Sequence, residues 1–167
     1  MKNQKAIIQT STIILRFAIF GIGLLVVLFC VLVLPVIHRE WPIELPHLAH
    51  WRYALMSVIA ASAIMFFVAA GQVLKLLNLI DANKAFSKAS VHTMQNVKRC
   101  GLIISGLSAT ILPLVFLLAE SDDAPGLILI FGTIFIGAPL VIGVFAGVAQ
   151  ALFQNAIDIK SENDLTV

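Results

Sequence analysis

His47 and His50, with Glu44 three residues before the first of them, form the one grouping in this 167-residue chain whose residue types could hold a metal. Residues three apart share a face of a helix, and Pro46 is suited to the first position of one. A zinc site needs at least three closely placed protein ligands. No cysteine lies nearby and His38 is the only other donor, so the expectation is a pair of interfacial histidines and no metal. The chain has no Ser-His-Asp order, no His-Glu-x-x-His, no phosphate-binding glycine loop and no CxxC. Those are the spacings that acyl transfer, zinc hydrolysis, nucleotide binding and dithiol chemistry require. A non-enzymatic protein without a cofactor is expected.

The other unusual polar residues sit in apolar text: Arg16, Gln72, Lys75 and Gln150, with Gln154 one turn beyond. An ionisable group at the centre of a bilayer costs several kcal/mol, so it marks a pathway, a pair, or a side chain close enough to the surface to reach it. Arg16 is only about a turn inside its apolar segment and Lys75 about a turn from the end of the next, which favours snorkelling to the headgroups. No Asp or Glu lies deep in any apolar segment, which weighs against a proton-coupled relay.

The elements that would position these residues follow from composition. The chain is 60% hydrophobic and 12% charged, against about 45–50% and about 25% in soluble domains. It has too little polar surface to cover a globule in water. A net charge of +2 is too small to suggest direct contact with nucleic acid. Apolar segments cover about 12–37, 54–80, 101–119 and 127–153, each near the roughly 20 residues that cross a bilayer as a helix. The first follows Lys2 and Lys5 as a signal peptide would, but it is too long and lacks a small-residue cleavage site, so it is an uncleaved span. Pro113 and Pro139 predict kinks. Cys30 and Cys100 fall near opposite faces and are expected as small apolar residues rather than a disulfide.

Nine of the eleven Lys and Arg residues fall on one side of this arrangement, with only Arg39 and Arg52 on the other, which also carries the acidic run Glu120-Ser121-Asp122-Asp123. The positive-inside rule then puts both termini and the middle loop in the cytoplasm, with Trp41, Trp51 and Tyr53 as an outer aromatic belt. The expected fold is all-α: a four-helix transmembrane bundle in one domain, with a loose outer loop from His38 to Arg52, a cytoplasmic loop at 81–99 and a polar cytoplasmic tail at 154–167. Gly143, Gly147 and Ala151 on the fourth span, and Gly101, Ser105 and Ala109 on the third, form small-residue stripes that permit close helix packing, internally or in an oligomer.

In the middle loop, Ser87 is placed to cap a helix that runs from about Lys88 into the third span, with Phe86 and Val91 spaced as a hydrophobic staple. Phe153, Ala156 and Ile157 can extend the last span as an amphipathic helix at the headgroups. Beyond Lys160, Leu165 and Val167 alternate about Thr166, as in a short extended end that could add to a partner's sheet.

The ending Glu162-Asn163-Asp164-Leu165-Thr166-Val167, together with the loop text Ile80-Asp81-x-Asn83-x-x-Phe86-Ser87-x-x-Ser90, resembles the YoaS-like family of small bacterial membrane proteins, a domain of unknown function. The resemblance covers the whole chain in layout. It implies four spans in a bacterial plasma membrane and, from genes that commonly neighbour the family's own, a small helix-turn-helix regulator as partner. The candidate partner-binding residues are then Asp81, Asn83, Phe86, Ser87, Ser90, Lys160, Glu162, Asn163, Asp164, Leu165, Thr166 and Val167. A small transporter, channel or peptide-toxin immunity protein is the alternative reading, and a purely stabilising membrane subunit is a third.

Overall fold

The computed structural model describes residues 2–44, 50–82, 84–120 and 125–165, with side chains for 10–40, 50–82, 84–117, 126 and 129–162. Those residues form five helices: α1 (Lys2–Glu44), α2 (Trp51–Asp81), α3 (Lys88–Ala109), α4 (Leu112–Glu120) and α5 (Pro125–Leu165). The fold is all-α. Three helical stretches, Thr10–Glu40, Trp51–Asp81 and Leu129–Glu162, are long and apolar enough to cross a membrane. Helices suit this composition because each closes its own backbone hydrogen bonds and leaves only side chains to meet lipid.

α3 holds the assembly together. It packs most extensively on α5 and then on α2, while α1 lies on α2 and α4 lies on α5. Its buried face reads Ser90, Thr93, Val97, Cys100, Gly101, Ser105 and Ser108, a helical stripe of mostly small residues in which only Cys100 and Gly101 are adjacent in sequence. Small side chains let neighbouring backbones approach closely, which is how helices gain contact where lipid removes the hydrophobic drive. A Cβ placed on Gly101 would lie 2.8 Å from the Pro139 carbonyl oxygen and 2.9 Å from the Gly143 Cα, so backbone meets backbone there. Both small-residue stripes are thus used inside the chain at Gly101, Ser105, Gly143 and Gly147, whereas Ala109 and Ala151 are exposed.

Several helix boundaries differ from expectation. The first helix does not stop at residue 37 but continues to Glu44, and α2 begins at Trp51, so most of the loose loop expected from His38 to Arg52 is helical. Pro113 breaks the third segment rather than kinking it: α3 ends at Ala109 and α4 starts at Leu112. Proline has no N–H to return to Ala109 and its ring crowds that carbonyl. The chain tightens there instead, with Thr110 N donating to Leu107 O (3.2 Å) and Ile111 N to Ser108 O (3.3 Å). Pro139, by contrast, lies inside an uninterrupted α5. Ser105 Oγ donates to the Ile136 carbonyl at 3.0 Å, next to the Phe135 carbonyl that Pro139 deprives of its helical donor. The tail continues α5 as far as Leu165, and Thr166 and Val167 of the expected extended end lie outside the described residues.

Candidate functional site

Two places in this fold concentrate features that packing alone does not require. The first is the end where α1 begins, α2 ends and α3 begins. Arg16 Nη2 donates to Asp81 Oδ2 at 2.6 Å and to Asn78 Oδ1 at 2.7 Å, while Thr12 Oγ1 donates to Asp81 Oδ1 at 2.9 Å. Thr12 and Arg16 are one turn apart on α1, and Asn78 and Asp81 are three apart on α2, so each pair shares a face. Asp81 is the last residue of α2, where the helix dipole disfavours a negative charge. The Arg16 guanidinium offsets both. Arg16 is therefore held in a pair with the end of α2. The side chains are 38% and 29% exposed, so in water such a bridge would contribute about 1 kcal/mol at most.

The loop that follows is closed by backbone bonds from Lys84 N to Leu79 O (2.8 Å) and Ala82 N to Asn78 O (3.1 Å). Ser87 is extended (φ −136°, ψ 156°) and its hydroxyl accepts from Ser90 N at 3.4 Å, capping α3. Ser90 is fully buried and donates to the Lys84 carbonyl at 3.2 Å, so it belongs to the turn and offers nothing to a partner. Phe86 stands on the surface, 61% exposed, and meets Phe153 of α5 edge to face with ring centroids 5.7 Å apart. The middle loop and the final stretch of α5 thus touch. Beyond Phe153, Ala156 and Ile157 are half-buried while Ile159, Lys160 and Glu162 are exposed. Gln154 Nε2 donates to Asp158 Oδ1 at 2.9 Å along the same helix. Asn83, Thr166 and Val167 lie outside the described residues, as do the side chains of Asn163, Asp164 and Leu165.

The remaining candidates scatter. Gln72 accepts from Asn96 Nδ2 at 3.5 Å, linking α2 to α3; Lys75 is exposed and Gln150 half-buried on α5. His50 is exposed in the turn before α2, and His47 lies outside the described residues.

The second place has no signature in the sequence. A cavity of about 820 Å³ opens between α1, α2, α3 and α5, starting at Ile19, one turn beyond Arg16. Its room comes from small residues, among them Ala63, Ala69, Ala70, Gly101 and Ala138. Phe29 of α1 and Phe135 of α5, with ring centroids 6.3 Å apart, bridge it on one side. Ser62 is the one hydroxyl on a wall otherwise made of apolar side chains. Its Oγ is buried and has no hydrogen-bond partner among the described residues. Small-molecule sites span about 300–1,000 Å³. The space is about half open to the surroundings, a groove between helices rather than a sealed void.

Long apolar helices that pack through small residues and turn most of their large apolar side chains outward define a helical membrane protein. The chain belongs to the family described as Protein of unknown function (DUF2975), whose model matches residues 41–167. It is 44% identical over 159 residues to the uncharacterized membrane protein YoaS of Bacillus subtilis (strain 168), an alignment covering 95% of this chain and 99% of that one. No solved structure matches the chain.

Proposed function

We propose that this is a non-enzymatic regulatory protein of the bacterial plasma membrane that holds a small cytoplasmic DNA-binding regulator at the bilayer. α1, α2 and α5 are three of its four crossings. The third in chain order is α3 continued by α4, whose residues 88–120 reach about 50 Å at 1.5 Å per residue. Lys and Arg concentrate at the end bearing the 82–87 loop and the tip of α5, which supports a cytoplasmic location for both termini and that loop.

The observation that carries the reading is the contact between Phe86 and Phe153. It makes one surface of the two segments that distinguish the family text: the loop, and the end of α5 with Ile159, Lys160 and Glu162 exposed. An exposed aromatic beside mixed charges is the composition of a protein-binding anchor. The family resemblance supplies the kind of partner, a helix-turn-helix regulator. The alternative of a conduit for polar solutes has less support, because Arg16, Gln72, Lys75 and Gln150 are all absent from the cavity wall.

The test is co-purification of the intact protein, a form lacking residues 158–167, and Phe86→Ala with a small helix-turn-helix regulator of the kind the family resemblance implies. Retention by the intact chain and loss in both variants is expected. If the intact protein retains none, the reading fails.

A further inference from the structure

Independently of the loop surface, we infer that the outer groove between α2 and α3 binds the headgroup of an anionic glycerophospholipid, whose phosphate is held by Lys75 and Arg99 over the Gln72–Asn96 amide pair. Asn96 Nδ2 donates to Gln72 Oε1 at 3.5 Å and lies 3.4 Å from His92 Nδ1. That bond stands ten residues before Ala82 and nine after Ser87, so the two helices run side by side in opposite directions from the loop. Gln72 and Lys75 are three apart on α2, and His92, Asn96 and Arg99 are four and three apart on α3, so each set shares a face. The two amides are half-buried, whereas Lys75, His92 and Arg99 are exposed. The groove thus has an amide floor and a basic rim.

The rim carries one sign of charge. Neither Lys75 nor Arg99 has an ion pair or hydrogen bond among the described residues. α3 contains no acidic residue, and Asp81, the one carboxylate of α2, is taken by Arg16 on the side of α1. Lys98 belongs to the other side of α3: a Cβ on Gly147 of α5 would meet its Cδ at 3.2 Å and its Nζ at 3.5 Å. Charged donors with no carboxylate to pair with match a phosphate diester, whose oxygens only accept. Depth makes a lipid its source. Trp51 and Tyr53 are exposed at the start of α2, where aromatic residues mark one interface. Lys75 is 22 residues beyond Tyr53, about 33 Å along the axis, enough to cross a hydrocarbon core of about 30 Å. Lys75 therefore stands at the headgroup level of the opposite leaflet. Arg99 starts a turn deeper than Asn96, and its long stem carries the guanidinium to that level.

The test is native mass spectrometry of the full chain, released from neutral detergent micelles that hold equal amounts of phosphatidylglycerol and phosphatidylcholine with the same acyl chains. The intact protein is expected to retain phosphatidylglycerol about 25-fold over phosphatidylcholine, since each cation near an anionic headgroup contributes about fivefold. Lys75→Gln and Arg99→Gln are each expected to leave a preference of about fivefold, and together to abolish it. Both residues are exposed, so packing survives the change. Lys84→Gln combined with Lys88→Gln removes two exposed cations at the same end of the bundle but outside the groove, and is expected to leave the preference unchanged. Gln72→Met keeps every charge and is expected to lower it about threefold, the worth of one neutral donor. Equal retention of the two lipids by the intact protein overturns the assignment. So does an equal loss in the Lys84 and Lys88 variant, the mark of diffuse surface charge, or displacement of the lipid by millimolar inorganic phosphate, the mark of a soluble anion.

Discussion

Gly101 is where a single added carbon tests the packing of α3 against α5 most directly. In Gly101→Ala the new Cβ would sit 2.8 Å from the Pro139 carbonyl oxygen and 2.9 Å from the Gly143 Cα, about 0.6 Å inside ordinary contact. Both obstructing atoms are backbone, so no rotamer change relieves the clash; the helices must separate. Overpacking of this kind costs about 1–3 kcal/mol. Ala also has higher helix propensity than Gly, worth about 0.5–1 kcal/mol in the other direction. The net expectation is a loss of about 1–2 kcal/mol, roughly a five- to thirtyfold shift toward the unfolded form. Gly106→Ala is the control, because nothing lies within 4 Å of its Cβ position and only the propensity gain applies. Unfolding of the purified protein in mixed micelles by added dodecyl sulfate, followed by tryptophan fluorescence, measures both. If Gly101→Ala proves as stable as Gly106→Ala, the close α3–α5 approach is wrong.

Other perturbations have equally definite outcomes. Removing Arg16 and Asp81 singly and together in a double-mutant cycle (Arg16→Gln, Asp81→Asn) should give a coupling of about 1 kcal/mol that shrinks in high salt; zero coupling would mean that the clamp contributes only to position. Ser87→Ala should cost about 0.5–1 kcal/mol, at the low end for a cap because its bond to Ser90 N is long at 3.4 Å. Amide exchange at the start of α3 should rise in that variant while the rest of the helix is unchanged. Pro113→Ala restores an N–H for Ala109 and should merge α3 with α4, lengthening the distance between spin labels at Gly106 and Phe116 toward the about 15 Å of a continuous helix.

The positions of the long helices were legible in the sequence because lipid imposes a simple rule on residue type and length. Their ends were not. His38 to Glu44 is polar enough to look like a loop, but a helix can extend into water once it is nucleated, and composition does not mark where it stops. Pro113 and Pro139 looked alike as text. They differ in outcome: Pro139 stays within a continuous α5, whereas the turn at Thr110–Ile111 replaces helix before Pro113. Arg16 was recognisable as odd, and Asp81 as part of a notable loop, but nothing in one sequence says that residues 65 apart face each other. The cavity was hidden for a similar reason. Its walls are ordinary alanines, glycines and isoleucines, and room is left between them because α1 packs mainly on α2.

α5 extends through 41 residues without interruption, about 60 Å at 1.5 Å per residue. A helix of that length behaves as a lever. Pivoting by about 10° about its midpoint would swing either tip by about 5 Å, since half its length is about 30 Å. Movement originating among the side chains near Phe135, deep in the greasy part, would therefore be felt at Ile159 and Lys160 as a displacement the size of a residue.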